Sequence, residues 1–512
     1  MILVLNFGGQ TCHLIARRIR ELNVYSEILP CDVSTDEINK LNPDGIILSG
    51  GPASVYEPNS PTMDKKILEL GIPILGICYG LQLIGKFVGG NVLGEKLKEF
   101  GKKALNVKKN GKLLKGLSKK EQVWMSHGDL VTKLPKDFDV LASTDTCKIA
   151  AFENDSMKLY GIQFHAEVVH TLKGNKILEN FVSNICKSKK DWKIVNLSKK
   201  LINEIKQEVG ENSVIMGVSG GVDSTVAATL LDKAVGSRLY CVFVDHGLIR
   251  KGESYEVKNF FEKKLNFKHF YFMDASKIFL EKLKGITDPE EKRKIIGHTF
   301  IKVFEEKVSE LEKKHPEIKF LGQGTIYPDR IESAHFTKYA SKIKSHHNVT
   351  LPDKMNLLVI EPLKEFYKDE VRKLGTGLKI PNEILNRHPF PGPGLAIRIL
   401  GEITEEGLRI LREADYIFIE ELRKSNHYNK VWQAFAALLP VKSVGVMGDS
   451  RTYEYIIALR AVTSVDAMTA DWAKLPNELL ERISNRIINE VSGVNRVVYD
   501  ISQKPPATIE YE

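Results

Sequence analysis

Three side chains in the first third of the chain could together perform nucleophilic catalysis. Cys78 stands in the run Ile-Leu-Gly-Ile-Cys-Tyr-Gly-Leu-Gln, which has the pattern of a strand, a tight glycine turn and a helix start. The N-terminus of a helix stabilises a thiolate, which is the reactive form of cysteine. His165 closes a later apolar run and could serve as the base, and Glu167 could fix the tautomer of its imidazole. Because most lone buried cysteines are unreactive, the assignment of Cys78 as a nucleophile depends on these two partners.

A second chemical pattern follows the apolar run 213–218, where the sequence 219–225 reads Ser-Gly-Gly-Val-Asp-Ser-Thr. Glycines allow backbone N–H groups to face a phosphate, and the helix that follows presents its N-terminus to the same anion. Asp223 is unsuited to a pure anion site, but it suits one in which Mg²⁺ joins the carboxylate to a phosphate. The Gly-x-x-x-x-Gly-Lys signature is missing, which disfavours γ-phosphoryl transfer.

The elements around these residues predict three domains. In residues 1–190, short apolar runs alternate with amphipathic stretches, a pattern typical of a parallel sheet covered by helices. A lysine-rich segment at 187–200 separates them from a second β-α pattern, and a run of prolines and glycines at 388–394 ends that pattern. The predicted fold class is α/β, with two open, mostly parallel-sheet domains (1–190 and 191–387) and a small C-terminal α+β domain (388–512).

The composition is that of an ordinary globular protein. The chain has 512 residues, of which 43% are hydrophobic and 27% charged, so more than one hydrophobic core is expected. The net charge of +9 is mild for this length; it suits anionic ligands and permits RNA only weakly. Six scattered cysteines without a Cys-x-x-Cys pair predict neither a zinc site nor a disulfide framework. No export signal and no membrane span are predicted, and a cytoplasmic location is expected.

The segments around Cys78, His165 and Glu167 resemble the class I glutamine amidotransferases across residues 1–190. The resemblance implies a Cys-His-Glu triad that hydrolyses glutamine to glutamate and ammonia, with the backbones of Gly51 and Tyr79 holding the oxyanion. It also implies that glutamine is bound by Gln82, Ser126, His127, Gly128 and Asp129. Several positions depart from the usual pattern, namely Asn6, Gly9, Thr11, Cys12, His13 and Ala166.

The glycine-rich run resembles the loop of the pyrophosphate-loop ATPases, which adenylate a carbonyl oxygen and release pyrophosphate. The loop alone does not choose among GMP, NAD, asparagine and argininosuccinate synthetases and tRNA-modifying enzymes. The resemblance implies that ATP is bound by Ser219, Gly220, Gly221, Val222, Asp223, Ser224, Thr225, Val244 and Lys344.

Five further segments, at 244–251, 324–329, 343–348, 387–396 and 504–510, resemble the GMP synthetases in order and spacing. This resemblance implies the conversion of XMP, ATP, glutamine and water to GMP, AMP, pyrophosphate and glutamate through adenyl-XMP. It also implies Mg²⁺ with ATP, no organic prosthetic group, a mobile lid that carries Lys344, and a homodimer formed by the C-terminal domain. XMP would be bound by Arg250, Asp329, Lys504 and Glu510. Arg330 and Tyr511 depart from the family's usual residues.

Three alternatives remain open at this point. One is a different amidating ligase such as NAD synthetase, although that family usually carries another kind of glutaminase domain. Another is a tRNA-modifying protein, which would use the positive charge and the C-terminal domain. A third is a nucleotide sensor with an inactive triad. A zinc site at His346 and His347 is disfavoured, because adjacent side chains point apart in an extended chain.

Overall fold

The computed structural model describes residues 1–333, 357–447, 450–464 and 469–512. Within these residues the chain forms two compact units. The first contains Met1–Ile194 and residues 328–333, and the second contains Val195–Tyr327 and the described residues after 356. The predicted boundary at residue 387 falls inside the second unit, and the division into three domains stays a prediction.

The first unit is built on one sheet of nine strands, flanked by short helices. The strands β2-β1-β3-β4-β9 are parallel, and the sheet continues through β8-β7-β5-β6 with antiparallel neighbours. The elements in chain order are β1 (Ile2–Asn6), α1 (Cys12–Glu21), β2 (Ser26–Pro30), α2 (Thr35–Leu41), β3 (Gly45–Leu48), β4 (Ile74–Ile77), α3 (Tyr79–Phe87), β5 (Asn91–Val107), β6 (Lys120–Lys133), β7 (Asp139–Ser143), β8 (Ala151–Asn154), β9 (Leu159–Ile162) and α4 (Gly174–Glu179).

The parallel half of this sheet forms as the sequence predicts. Strands β3, β4 and β9 are apolar four-residue runs that are buried along their whole length, because helices cover both faces of a parallel sheet. The antiparallel half is not apparent from the sequence. Its long strands β5 and β6 are rich in charged and polar residues, so they lack the continuous apolar pattern of a buried strand.

The second unit contains a parallel sheet of five strands in the order β12-β11-β10-β13-β14. Helices connect the strands, so the crossovers have the βαβ form that a parallel sheet requires. The elements of this part of the chain are α5 (Ile194–Val209), β10 (Ser213–Gly217), α6 (Val222–Val235), β11 (Leu239–Asp245), α7 (Glu253–Asn259), β12 (His269–Asp274), α8 (Ser276–Leu283), α9 (Pro289–Lys314), β13 (Ile318–Gly322), α10 (Tyr327–Ser333), β14 (Leu358–Ile360), α11 (Lys368–Gly377) and α12 (Asn382–Leu385).

The same unit ends in a smaller sheet with two helices, as predicted for the C-terminal α+β segment. Strands β15, β16 and β17 are antiparallel, and β18 lies parallel to β16. The core of this sheet is continuous with that of the five-stranded sheet, since Ile215, Val242, Leu411 and Ile483 belong to one buried apolar cluster. The elements are α13 (Glu405–Lys424), β15 (Gln433–Met447), β16 (Ser450–Thr463), β17 (Asp471–Trp472), α14 (Asn477–Glu490) and β18 (Val494–Tyr499).

Two interpretations of charged segments need correction. The sequence predicts exposed helices without a site at 281–314, but Lys292 on α9 is fully buried. It also predicts a loop at 329–354, whereas α10 extends to Ser333; the rest of that loop lies outside the described residues. No helix in the described ranges combines the length and the apolar character needed to cross a membrane.

Buried neutral histidines make the stability of the fold sensitive to acid. Burial lowers the pKa of His13, His246 and His388 to about 4, well below the ordinary value. The unfolded chain therefore binds protons that the folded chain excludes between pH 6.5 and 4, so stability is full above pH 6.5 and is lost as the pH falls. We expect the denaturation midpoint to fall over this window, and to fall less steeply in His388→Gln. A midpoint that rises on acidification would contradict this expectation.

Candidate active sites

Cys78 occupies a sharp turn between β4 and α3. Its backbone has φ 54° and ψ −105°, a left-handed conformation that a non-glycine residue rarely adopts. Its N–H donates to the carbonyl of Ile162 at 2.8 Å, which fixes the turn against the neighbouring strand β9. Cys78 therefore stands at the N-terminus of α3, where the sequence predicts it, in a strained backbone held by the sheet.

Two glycines make this turn possible. A Cβ atom at Gly76 would lie 2.5 Å from the backbone of Gly80, and one at Gly80 would lie 2.4 Å from the carbonyl oxygen of Leu48. Contacts this short with backbone atoms leave no room for any side chain. The glycines that flank Cys78 in the sequence are therefore required by the close approach of the turn to α3 and β3.

His165 and Glu167 complete the cluster around Cys78. The Nδ1 atom of His165 lies 2.7 Å from Oε1 of Glu167, which is fully buried. Burial lowers the pKa of His165, but the Glu167 carboxylate and the Cys78 thiol outweigh burial and hold this pKa well above its ordinary value. The pKa of Glu167 lies below its ordinary value. Burial alone would raise it, but the charge and the hydrogen bond of His165 outweigh burial. The arrangement favours a protonated imidazole beside the Glu167 carboxylate.

Strand β6 supports the cluster with its backbone. The carbonyl of Trp124 accepts from the N–H of His165 at 3.0 Å, and the carbonyl of Ser126 accepts from the Cys78 thiol at 3.6 Å. On another side, Gly50 passes so close that a Cβ atom there would lie 3.1 Å from Cε1 of His165 and 3.7 Å from Cβ of Cys78. The segment 49–51 thus borders the nucleophile, as expected of an oxyanion loop.

The residues predicted to hold glutamine lie around the same thiol. The Gln82 amide donates to the Asp129 carbonyl at 2.8 Å, and the Tyr56 hydroxyl donates to the Asp129 carboxylate at 2.9 Å. Ser126 is exposed, whereas His127 points inward, where its Nε2 lies 3.1 Å from the buried carboxylate of Glu99. Burial lowers the pKa of His127. His127 is therefore positioned to support the strand from behind, and Ser126 and Gly128 are more accessible from the site.

Sequence reasoning missed three contacts of the triad. The guanidinium of Arg18 on α1 donates from Nε to the backbone carbonyl of Glu167 at 3.0 Å. Thr11 gives a hydrogen bond that lowers the pKa of Glu167, and the Gln163 amide lies 3.7 Å from the Cys78 sulfur. Arg18 and Glu167 are 149 residues apart, so no local pattern could indicate their contact. Gln163 lies in the same short run as His165 and could have been suspected.

The glycine-rich run forms a loop between β10 and α6. The Ser219 and Ser224 hydroxyls lie 3.0 Å apart, and the N–H of Gly221 donates to the Ser219 hydroxyl at 3.3 Å. Gly220 has φ 73°, and a Cβ atom there would lie 2.4 Å from Val257. Val244 is buried in the adjacent strand β11, while Thr225 is buried in the first turn of α6. Backbone N–H groups and serine hydroxyls of the loop thus lie at the N-terminus of α6, a helix of 14 residues, where they can bind an anion.

Asp223 has the properties expected of a ligand for a cation in this loop. Its Oδ2 accepts from the ammonium of Lys368 on α11, while its Oδ1 is buried and has no hydrogen-bond partner among the described residues. A buried carboxylate oxygen without a hydrogen-bond donor is unfavourable unless a ligand or an ion binds it when the enzyme is active. The residues present therefore fit a hard cation such as Mg²⁺, which prefers carboxylate oxygens. Lys368 lies 145 residues from Asp223 and was not predicted.

Two of the four residues predicted to bind XMP lie in one charged cluster. Nε of Arg250 lies 3.1 Å from the Asp415 carboxylate, and burial, which lowers the pKa of Arg250, is outweighed by the charges of Asp415, Glu253 and Glu510. Glu510 accepts two hydrogen bonds from Arg398, at 2.8 and 3.0 Å, and one from Gln433 at 2.6 Å. The partners Asp415, Arg398 and Gln433 were not predicted.

The structure gives less information on the other predicted nucleotide contacts, Lys504, Asp329 and Lys344. Lys504 pairs through its backbone with Ala470, in the same unit as Arg250. Asp329 lies in α10 and groups with the first unit. Lys344, like His346 and His347, lies outside the described residues.

The fold and the two sites define a glutamine amidotransferase joined to an ATP-dependent synthetase. The chain is 57% identical to the GMP synthase [glutamine-hydrolyzing] of Carboxydothermus hydrogenoformans and 56% identical to that of Aquifex aeolicus; each alignment covers 100% of this chain and 99% of the relative. The chain belongs to the glutamine-hydrolysing GMP synthase family.

Matches to family models follow the same division. The model "Glutamine amidotransferase class-I" matches residues 3–185, "NAD synthase" matches residues 194–294, and "GMP synthase C terminal domain" matches residues 420–511. The match to NAD synthase covers the phosphate loop, a feature that different amidating ligases share. Identity to GMP synthases over the whole chain therefore decides against the alternative ligase and the tRNA-modifying protein.

Proposed function

We propose that this protein converts XMP to GMP with nitrogen from glutamine and energy from the cleavage of ATP to AMP and pyrophosphate. The observation that carries the proposal is the presence of two different reactive sites in one chain. Cys78, His165 and Glu167 form a nucleophile, a base and an orienting carboxylate. The loop from Ser219 to Thr225 offers donors for phosphate in the other unit.

The first half of the reaction releases ammonia. The Cys78 thiolate attacks the carboxamide carbon of glutamine, and the backbone N–H groups of Gly51 and Tyr79 hold the oxyanion. His165 gives its proton to the leaving nitrogen, so that ammonia departs and a thioester remains. Water activated by the neutral imidazole then hydrolyses the thioester to glutamate. Gln82 and the segment 126–129 hold the rest of the glutamine.

Glu167 sets the alkaline limit of this half-reaction. Since its carboxylate helps to hold the pKa of His165 above the ordinary value, the imidazole stays protonated to a higher pH. We expect Glu167→Gln to lower kcat for glutamine hydrolysis by roughly 10²- to 10⁴-fold, because the tautomer and the charge partner are both lost. The alkaline limb of its pH–rate profile should move to lower pH. Glu37→Gln, the same change at an exposed position of α2, serves as the control, and an unmoved limb would contradict the role of Glu167.

The second half activates the base of XMP. The C2 oxygen attacks the α-phosphorus of ATP, pyrophosphate leaves, and the oxygen becomes linked to AMP. Ammonia then adds to C2, and AMP departs with the former C2 oxygen. Backbone N–H groups of Gly220 and Gly221 and the hydroxyls of Ser219, Ser224 and Thr225 would hold the phosphates, while Val244 would border the nucleoside.

Asp223 would hold Mg²⁺ in this site, which accounts for its buried oxygen without a donor among the described residues. When bound with ATP, Mg²⁺ supplies positive charge that stabilises the departing pyrophosphate. Lys368, which contacts Asp223 and is 41% exposed, could turn its ammonium towards the phosphates. Lys344 would add a second ammonium from the predicted lid.

XMP would bind where Arg250 and Glu510 lie in one cluster. A guanidinium suits the 5′-phosphate, and a carboxylate suits the N–H edge of xanthine. Lys504 would add a further cation, and the resemblance also assigns Asp329 to XMP. This assignment is supported by the resemblance and by the electrostatic contact of Arg250 with Glu510.

Isotopic labelling tests the activation step. The reaction is run with XMP that carries ¹⁸O at C2, and the AMP product is analysed by mass spectrometry. Transfer of one ¹⁸O atom to AMP is expected, because the C2 oxygen leaves with the adenylate. Label found in pyrophosphate or inorganic phosphate would show activation by a different phosphorus atom and would overturn this part of the proposal.

The protein would act as a homodimer in the cytoplasm. An exposed apolar patch on the long hairpin of β15 and β16, formed by Val444, Val446 and Tyr453, supports dimerisation. We expect Val446→Glu to shift the sedimentation mass from dimer to monomer, because it buries a charge in the interface. Val169→Glu, at an exposed valine of the first unit, should leave the mass unchanged. A Val446→Glu protein that stays dimeric would exclude this patch.

A further inference from the structure

Three fully buried cations of the second unit hold the final segment of the chain, residues 502–512. Lys292 comes from α9, Arg398 from a short helical turn and Arg460 from β16, and each has 0% exposure. Arg460 donates to the carbonyls of Ser502, Thr508 and Ile509, while Arg398 forms its two hydrogen bonds with Glu510. Burial of one cation is unfavourable unless partners surround it, so three such cations indicate a segment that is held in one conformation.

Lys292 is the cation that meets the last residue of this segment, Glu512. Its ammonium lies 2.5 Å from Oε2 of Glu512 and donates to the carbonyls of Ile399 at 2.8 Å and Ala396 at 3.3 Å. The other carboxylate oxygen of Glu512 accepts from the N–H of Gly401 at 3.2 Å. The neighbouring Arg293 donates to the backbone carbonyl of Glu512 at 2.6 Å. All three N–H groups of the ammonium are therefore used, and both oxygens of the carboxylate are used as well.

This pair joins two parts of the unit that carry different functions. Helix α9 packs beside the five-stranded sheet, whose strand β10 leads into the phosphate loop. Ala396 and Ile399 flank Arg398, the partner of Glu510, so the Lys292 ammonium contacts the backbone on both sides of Arg398. Glu512 follows Glu510 by two residues. The Lys292 ammonium thus holds the backbone around Arg398 and also the end of the segment that carries Glu510.

We propose that Lys292 and Glu512 form a positioning pair for the XMP site: they hold segment 504–512 so that Glu510 and Lys504 face the nucleotide. The inference rests on the proposed function, because it takes Glu510 and Lys504 as XMP contacts. Neither Lys292 nor Glu512 touches the substrate itself. The pair acts by fixing Glu510 against Arg398 and Gln433 before XMP arrives.

A pair that only stabilised the fold would affect all activities of the unit alike. A positioning pair should instead weaken XMP binding selectively, because Glu510 would no longer be held in place while the loop at Ser219–Thr225 is unchanged. A displacement of a binding group by about 1 Å can cost up to about a hundredfold in activity. The comparison of KM for XMP with KM for ATP therefore separates the two roles.

The test uses the full-length protein and ammonium as the nitrogen source, so that the triad does not enter. In Glu512→Gln, KM for XMP is expected to rise about tenfold or more, while KM for ATP and the rate of glutamine hydrolysis stay near the wild-type values. Lys314→Met removes an exposed ammonium from the same helix, where it pairs with Glu310, and serves as the matched control. It should change neither KM.

The double variant Lys292→Met with Glu512→Gln removes both charges. It is the variant to use if the unpaired buried charge of Glu512→Gln prevents folding. It lacks the buried ammonium without a partner that the single variant creates. Its KM for XMP should still be raised, but by less than the product of the two single effects. If the double variant is folded and its KM for XMP equals the wild-type value, or if KM for XMP and for ATP rise equally, the positioning role is excluded.

The failure of this inference is distinguishable from failure of the proposed function. If the wild-type protein forms no GMP from ammonium, XMP and ATP, the proposed function is overturned and the KM comparison has no meaning. If the wild type forms GMP and Glu512→Gln forms it with an unchanged KM for XMP, only the role of Lys292 and Glu512 falls.

Discussion

Replacement of Cys78 by alanine should abolish GMP formation from glutamine and leave GMP formation from ammonium near the wild-type rate. The nucleophile is the sole source of the thioester, so glutamine hydrolysis is expected to fall on the order of 10⁴- to 10⁶-fold. Ammonium enters after the step that Cys78 performs and does not need the thiol. The measurement is the rate of GMP formation at saturating XMP and ATP with each nitrogen source in turn.

The control for this variant is Cys31→Ala, which removes another buried thiol of the first unit. Burial raises the pKa of Cys31 to about 11, so this thiol stays protonated and unreactive. Both activities of the control should remain. Loss of the ammonium-dependent activity in Cys78→Ala, in a protein that unfolds at the wild-type temperature, would contradict the assignment of the two half-reactions to separate sites.

Replacement of Asp223 by asparagine should have the opposite selectivity. GMP formation from either nitrogen source is expected to fall roughly 10²- to 10⁴-fold, because the carboxylate proposed to hold Mg²⁺ beside the phosphates is lost. Glutamine hydrolysis in the absence of nucleotides should stay near the wild-type rate. The measurement is the release of pyrophosphate that depends on XMP, followed together with the release of glutamate.

Asp232→Asn provides the matched control, since Asp232 lies on the same helix α6 two and a half turns beyond Asp223. It should release pyrophosphate at the wild-type rate. An Asp223→Asn protein that still makes GMP from ammonium at a rate close to the wild type would exclude a direct role of this carboxylate. Cys78→Ala and Asp223→Asn together separate the two chemistries, because each is expected to spare one activity that the other abolishes.

Local chemistry explains which features the sequence could predict. Cys78 and the glycines beside it must be adjacent in the chain, because the strained turn needs all three within five residues. The phosphate loop is likewise one continuous run between a strand and a helix. Buried parallel strands also stand out, since their apolar runs are short and complete. Each of these features is determined by neighbours in the sequence.

Contacts between distant residues could not be predicted in the same way. Lys368 and Arg18 each meet their partners across about 145 residues of chain, and both resemble ordinary solvated cations on amphipathic helices. The burial of Lys292 could not be recognised in the sequence, because α9 is rich in lysine and glutamate. Lys292 is the one lysine of this helix that is described as fully buried. A charged helix pattern predicts a solvated face, and the exception becomes visible only when the partner, Glu512, is placed beside it.

The most direct test of the account is an assay of products with the purified full-length protein. XMP, ATP, Mg²⁺ and ¹⁵N-amide glutamine are supplied together with unlabelled ammonium at a concentration well below saturation. The nucleotides are then separated by chromatography, and their masses are measured by mass spectrometry. We predict GMP and AMP in equal amounts, with GMP carrying mainly ¹⁵N. No GMP from glutamine and none from saturating ammonium, in a folded protein that binds ATP, would contradict the proposed reaction.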